Sequence, residues 1–215
     1  MFLLPEKVSS ARANMLADSA LLESSGAMNA PFLRFYGWLG DCFTCGISQN
    51  IDDARKLMPK GAFLEKRPSG GGLVDHRKDL TYALAVPRGR ALCEMRAADS
   101  YREVHAAIAR ALANFGSSAS LCARDFPKPK GALAVCFSMP AVHDVILQNG
   151  KKFAGAAQKR TRDGILFQGS MLRGELRESD EAAFKAQIAK NFAEILGEAC
   201  KNSDFPEAVK TALFC

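Results

Sequence analysis

Lys66-Arg67-Pro68-Ser69-Gly70-Gly71-Gly72-Leu73-Val74-Asp75-His76 is the stretch whose reading decides the fold, and Gly150-Lys151-Lys152-Phe153-Ala154-Gly155-Ala156-Ala157-Gln158 is its partner further along the chain. Three consecutive glycines let a ligand approach backbone where any Cβ would obstruct it. Arg67 before them and His76 after them supply charge and hydrogen bonds. Lys152, followed by small residues, offers a second cation with room beside it. The two segments together predict a pocket for a small acyl-type ligand with an anionic or carbonyl head.

Working outward, Phe63 to Arg67 leads into the glycine turn as a strand, and Leu80 to Val86 leaves it as another that stops at Pro87. Upstream, Met15, Leu16, Ala20, Leu21 and Leu22 make a helical stripe over Ala13 to Glu23, with Ser24-Ser25-Gly26 read as its stop. Phe32 to Trp38 and Cys42 to Ile47 read as strands, and Ile51 to Met58 as a short helix with Asp52 and Asp53 in its first turn. Tyr101 to Phe115 is an amphipathic helix closed by Gly116. His105 lies beside its apolar stripe, as a partly buried or surface residue. Ala132 to Ser138, Asp144 to Leu147 and Lys152 to Gln158 follow as strands, the last two joined by an Asn149-Gly150 hairpin signal. A strand over Ile165 to Leu172 and helices over Ala182 to Leu196 and Pro206 to Leu213 complete the chain. Short turns between consecutive strands predict an α+β fold, a mainly antiparallel sheet flanked by helices.

The 215 residues are 48% apolar and 24% charged, the mix of an ordinary globular domain. Net charge is +6 with no long basic run, which suits a solvated surface or an acidic protein partner. The cysteines stand at 42, 45, 93, 122, 136, 200 and 215, an odd number that argues against a secreted disulfide framework. Cys42 and Cys45 form a CxxC inside an apolar run, without a second pair at zinc-like spacing, and read as buried packing. Neither a signal peptide nor a membrane-length apolar run is present, so a cytoplasmic protein that does not enter a membrane is expected.

At these motifs the sequence resembles the lipoate–protein ligase and octanoyltransferase family, whose fold is shared with biotin–protein ligases. Met15-Leu16-Ala17-Asp18 with Leu21-Leu22-Glu23 is similar to its opening helix. Pro31 to Trp38, with Gly46 and Gln49, is similar to its first strands. Arg67-Pro68-Ser69-Gly70-Gly71-Gly72 with His76 resembles the acyl-binding signature, and Asp79-Leu80-Thr81-Tyr82 the strand beyond it. Lys152 with Ala154-Gly155-Ala156-Ala157-Gln158 resembles the active-site lysine motif, and Gly164 to Ser170 the strand after it. The resemblance implies one catalytic domain over residues 1–215, without a C-terminal accessory domain. It implies attachment of an octanoyl or lipoyl group to a lysine of a carrier domain. The implied pocket residues are Arg67, Ser69, Gly70, Gly71, Gly72, His76, Gly155 and Ala156, and the catalytic residue is Lys152.

Cys136 decides between the family's chemistries. Its block, Val135-Cys136-Phe137-Ser138-Met139-Pro140, resembles that of the cysteine-dependent octanoyltransferases, in which a thiolate takes the acyl group from a thioester. In that reading Cys136 and Lys152 are catalytic, Lys152 depresses the thiol's pKa, and no cofactor or metal is required. The donor is then acyl carrier protein, and the acceptors are lipoyl domains of 2-oxoacid dehydrogenases or the glycine-cleavage carrier. The alternatives are a lipoate–protein ligase that needs ATP and Mg²⁺, with Cys136 inert, and a non-catalytic acyl-binding subunit. His143, between Cys136 and Lys152, reads as a surface loop residue. Lys151, Lys159, Arg160 and Arg162 form a basic rim suited to acidic carriers. No helix-turn-helix precedes the domain, so no nucleic-acid partner is expected.

Overall fold

The computed structural model describes residues 1–124 and 139–214. The strand expected over Ala132 to Ser138, and Cys136 with it, lies outside the described residues.

The first part of the chain gives β1 (Phe2–Leu3), β2 (Lys7–Ser9), α1 (Ala11–Met28), β3 (Phe32–Trp38), β4 (Cys42–Gly46), α2 (Ile51–Arg55), β5 (Phe63–Arg67) and β6 (Val74–Asp75). It continues through β7 (Asp79–Pro87), α3 (Ala91–Glu94), α4 (Ala97–Ala113) and β8 (Ala119–Leu121). After the gap come β9 (Val145–Leu147), β10 (Lys152–Arg160), β11 (Gly164–Leu172), α5 (Glu181–Ile195), β12 (Lys201–Asn202) and α6 (Glu207–Leu213). The main sheet has the order β12-β1-β3-β7-β11-β10-β9-β8, with β2 also paired to β3, and a small sheet has the order β5-β4-β6. From β3 to β8 every pairing is antiparallel, while β1, β2 and β12 add parallel edges and β4–β5 is parallel.

Period-two alternation sorts the central strands between two layers. Leu80, Tyr82, Leu84 and Val86 of β7 join Phe167 of β11 and pack under α4 and α5 through Val104, Ile108, Phe184, Ile188 and Phe192. The opposite face packs Ala83, Ala85, Tyr36 and Leu166 against Leu21 and Leu22 of α1 and Val209 of α6. Toward β6 and the end of β11 this second face is polar, and there the small sheet covers it.

The helix boundaries differ most from the sequence reading at the end of α1 and the start of α4. Ser24-Ser25-Gly26 does not stop α1; the helix ends at Asn29, which takes the left-handed conformation and whose N–H reaches the carbonyls of Gly26 and Ser25. Ser25 is fully buried and its hydroxyl donates to Ala30 O at 2.8 Å, so a residue that reads as a breaker acts as a tie. α4 starts four residues earlier than Tyr101, because Ala97-Ala98-Asp99-Ser100 supplies helix-compatible residues with no apolar stripe to announce them. The hairpin at Asn149-Gly150 is present, with Gly150 at φ +80° and its N–H on Leu147 O at 2.9 Å. Cys42 and Cys45 are buried in β4, and burial pushes both thiols up, away from the thiolate form that metal or redox chemistry needs. Among the described residues no helix is long and apolar enough to cross a membrane.

Candidate functional site

The glycine turn closes over the polar end of the main sheet, and an apolar cleft of about 480 Å³, its open mouth included, lies between them. The strand register builds its floor. Tyr36, Thr81, Ser170 and Gly155 stand opposite one another on β3, β7, β11 and β10 as one cross-strand row. Arg34, Ala83, Gln168 and Ala157 form the row beside it. Three inter-strand steps make the floor about 14 Å long. Gly71, Val74, Thr44, Arg67 and His76 of the small sheet and its turn cover it, Met15 of α1 flanks it and Trp38 closes the β3 end.

Lys152 sits at the opposite, β10 end. On a regular strand residues three apart point to opposite faces, so Lys152 would face away from Gly155. The β9–β10 pairing is irregular between Lys152 and Ala154, and this bulge turns the lysine to the floor side. A Cβ on Gly155 would stand 2.6 Å from both Cε and Nζ of Lys152 and 3.1 Å from Asp144 Oδ1. The ammonium therefore occupies the place a side chain would take at the end of the row. It is almost fully buried and pairs with Asp144 at 2.8 Å, whose Oδ2 also accepts the Ala141 N–H at 2.6 Å. Lys152 is not among the residues that line the cleft, whereas Gly155 beside it is.

The glycine turn is held from behind. Arg67 is buried and donates to Gly70 O at 2.9 and 2.6 Å, to Gly72 O at 2.9 Å, and to the carbonyl and hydroxyl of Thr44 at 3.2 Å. With its guanidinium turned to these carbonyls, Arg67 shapes the turn as well as bordering the cleft. Gly71 has φ +93°, and a Cβ there would lie 2.6 Å from Arg67 Nη2, so glycine is required.

At the β3 end Asp79 gathers donors. Its Oδ2 accepts from His76 Nδ1 at 2.7 Å, from Thr81 Oγ1 at 3.1 Å and, at short range, from Ser170 Oγ. That fixes His76 with its proton on Nδ1, so Nε2 accepts from the Thr44 hydroxyl at 2.8 Å. The His76 ring stacks on Trp38 with centroids 3.9 Å apart, and the indole N–H donates to Thr81 at 2.7 Å. His76 is thus a wall residue whose polar atoms are both occupied by protein groups.

Of the residues the sequence singled out, Arg67, Gly71, His76, Gly155 and Ala156 line the cleft, while Ser69, Gly70 and Gly72 belong to the turn behind it. Trp38, Thr44, Gln168 and Ser170 also line it. Nothing in composition or spacing marks them, since strand pairing alone brings them together. His105 is buried, contrary to its reading as a partly buried or surface residue. Its Nδ1–H donates to His143 O at 2.6 Å, its Nε2 has no partner among the described residues, and burial lowers its pKa. His143 is a loop residue at φ +70°. In the expected basic rim, Lys151 is paired with Glu175 at 2.5 Å and Arg160 donates to Cys93 O and Ser100, while Lys159 is exposed and Arg162, also exposed, pairs loosely with Asp163 at 3.9 Å.

The model of the lipoyl protein ligase A/B catalytic domain matches residues 10–210. The chain belongs to that family. Among curated family relatives, octanoyltransferase LipM of Staphylococcus aureus is 31% identical over 170 residues, covering 74% of this chain and 61% of the relative. LipM of Kyrpidia tusciae is 32% identical over 173 residues, covering 76% and 62%. The chain thus spans about three fifths of the length of these two relatives. Among solved structures, a lipoate-protein ligase A bound with ATP superposes with a TM-score of 0.73 at 19% identity, covering 99% of this chain and 92% of that one. The bi-partite lipoate protein ligase of Thermoplasma acidophilum gives 0.70 at 19%, covering 99% and 89%. These two show the fold, an α+β domain with the biotin/lipoate-ligase arrangement of sheets.

Proposed function

We propose that the protein is an acyltransferase of protein lipoylation. It takes an octanoyl or lipoyl group from a thioester donor such as acyl carrier protein, holds it on Cys136, and delivers it to a lysine of a lipoyl carrier domain. The acceptors are the lipoyl domains of 2-oxoacid dehydrogenases or the glycine-cleavage carrier. The observation that supports this reading is the buried Lys152 side chain against Gly155, at one end of a cleft walled by glycine, alanine and aromatic residues. Such walls suit an unbranched acyl chain, and a buried cation beside its end suits a reacting carbonyl. The similarity to curated octanoyltransferases supports transfer from a thioester.

The chemistry divides into two acyl exchanges. The Cys136 thiolate attacks the donor carbonyl, a new thioester forms, and the donor's sulfur leaves and takes up a proton. The acceptor amine then attacks the acyl-cysteine, an amide bond forms, the C–S bond breaks, and the amine's surplus proton passes to solvent or base. In both steps negative charge develops on the carbonyl oxygen, and Lys152 stabilises it. Asp144 aims the lysine through their 2.8 Å contact. Both steps run without a cofactor. A ligase built on the same site requires free acid, ATP and Mg²⁺ in place of the thioester.

Intact-protein mass spectrometry after incubation with octanoyl carrier protein, without ATP, tests the assignment. A hydroxylamine-labile octanoyl adduct on the wild type and none on Cys136→Ala is expected. Acylation of a lipoyl domain that needs free acid, ATP and Mg²⁺ and survives Cys136→Ala would replace the transferase by the ligase.

A further inference from the structure

Ser69 opens the glycine turn on the small sheet, and Gln168 lies on β11 of the main sheet, 99 residues later. Gln168 Oε1 accepts from both the Ser69 hydroxyl, at 2.6 Å, and the Ser69 N–H, at 3.3 Å. The carbonyl of Ser69 accepts from Ile47 N–H at 3.0 Å, which ties the same residue to its own sheet. The other end of the amide donates from Nε2 to Asp18 Oδ2 at 2.6 Å. Asp18 is itself anchored, accepting from Arg34 Nε and from the Tyr36 hydroxyl, both at 2.8 Å. Asp18, Arg34, Tyr36, Ser69 and Gln168 are all buried.

We infer that Gln168 is a positioning residue, a latch that fixes the acyl-binding turn over the floor of the cleft and sets the cleft's width. The inference rests on the acyl-cleft reading above for its effect on substrate, but not for the latch itself. Only a neutral group that accepts on one side and donates on the other fits the place. The amide's oxygen faces two donors and its nitrogen faces a carboxylate oxygen. A leucine satisfies neither side and leaves Ser69 and Asp18 each short of a partner. A glutamate satisfies Ser69 but sets a second carboxylate 2.6 Å from Asp18 unless a proton is shared between them. The protonated acid reproduces the amide's pattern, accepting from Ser69 and donating to Asp18.

The groups facing this position are few. Asp18 comes from α1, Arg34 and Tyr36 stand behind it on β3, Ser69 comes from the turn, and the strand neighbours Ala157 and Ala83 are uncharged. Arg67 and His76 border the same cleft but spend their polar atoms on Gly70, Gly72, Thr44 and Asp79. Gln168→Glu is therefore conditional on pH in a way that Gln168→Leu is not.

Hydrogen exchange of the segment 66–74 in the isolated protein, compared with wild type at the same pH, tests the latch independently of any activity. In Gln168→Leu the segment exchanges about tenfold faster at pH 8 and at pH 6, while α4 keeps its protection. In Gln168→Glu it exchanges about tenfold faster at pH 8 and returns to within about twofold at pH 6. Where acyl transfer is measurable, KM for the acyl donor rises with the exchange rate and kcat changes less than threefold. Ser69→Ala added to Gln168→Leu adds little, because the two remove the same interaction. Wild-type protection of 66–74 in Gln168→Leu, or the same ratio at both pH values in Gln168→Glu, overturns the latch. Loss of octanoyl transfer in every variant and in wild type would instead count against the transferase reading and leave the exchange result standing.

Discussion

Replacing Gly155 by alanine adds one carbon at the most crowded point of the site. The new Cβ would lie 2.6 Å from Cε and Nζ of Lys152, against an ordinary contact of 3.4 Å or more, so the lysine tip must retreat by roughly 0.8 Å. A flexible lysine at a surface would do so without cost. This one is buried and paired with Asp144 at 2.8 Å, and Asp144 is held by Ala141 N–H, so its retreat strains the ion pair. Overpacking of this kind costs about 1–3 kcal/mol. A displacement approaching 1 Å in a group that must meet a carbonyl oxygen costs about a hundredfold in rate. The expected result is therefore a kcat/KM for octanoyl transfer to a lipoyl domain, followed by mass spectrometry, reduced about a hundredfold, with a fall in stability of about 2 kcal/mol. Thermal unfolding supplies an internal check. Lys152→Ala removes the side chain that the new methyl would strike, so Gly155→Ala in that background should cost almost nothing further. Wild-type activity in Gly155→Ala, or strictly additive losses in the double variant, would refute the placement of Lys152 at the end of the floor.

Gly71→Ala forces a Cβ onto a residue at φ +93° and within 2.6 Å of Arg67 Nη2, so it should lose about 2 kcal/mol, read as a fall of about 6 °C in Tm. Cys45→Ala, in which burial already keeps the thiol protonated, should transfer acyl groups within about twofold of wild type while losing about 1 kcal/mol; a tenfold loss of activity would return the Cys42–Cys45 pair to the list of functional groups. His105 is buried with its pKa lowered below the ordinary histidine value, so in acid the unfolded chain binds a proton that the folded one refuses. Its contribution to stability is complete above pH of about 6.5 and falls as pH drops through that value, by up to about 1.4 kcal/mol per unit. His105→Asn, which keeps a donor for His143 O, should melt with a shallower acid dependence than wild type over pH 7 to 5, and parallel curves would contradict this account.

What the sequence made legible was local. Phe32–Trp38 is a strand over the predicted residues because an aromatic-rich run bounded by turn formers has little else to become, and Phe63–Arg67 is one as the segment that runs straight into the glycine turn. The glycine turn was legible because three glycines in a row have few structural uses. The rest of the site was hidden for a geometric reason. Trp38, Thr81, Ser170 and Gln168 share the cleft only through the register of β3 on β7 and β7 on β11, and no spacing in a chain reveals register between strands so far apart. The end of α1 was misread because its signal is a tertiary one: Ser24-Ser25-Gly26 breaks a solitary helix, but here Ser25 is buried and finds Ala30 O. The same holds for His105, whose burial follows from the loop carrying His143 folding over it.

The site's three buried carboxylate contacts, the ion pairs Asp18–Arg34 and Lys152–Asp144 and the hydrogen bond of Asp79 with His76, call for an explanation other than stability. Removing two charges from water costs about what their attraction returns, so apolar replacements of equal volume would hold this domain together as well or better. What such pairs do supply is direction. Each hydrogen-bonded carboxylate admits its partners from a few angles only, and each loses several kcal/mol if one partner shifts away. In this fold the three contacts lie at the three sides of one cleft: Asp18 governs the turn through Gln168, Asp79 holds the His76–Trp38 wall, and Asp144 aims the lysine. An apolar cleft alone would bind an acyl chain in many registers along its floor of about 14 Å. In the proposed transferase, fixing the two ends and the lid by these contacts would select one register, with the chain's carbonyl at Lys152. The polar investment thus belongs to positioning, and it predicts that replacing Asp144 damages transfer more than binding of the chain, whereas replacing Asp18, which acts through Gln168, raises KM more than it lowers kcat.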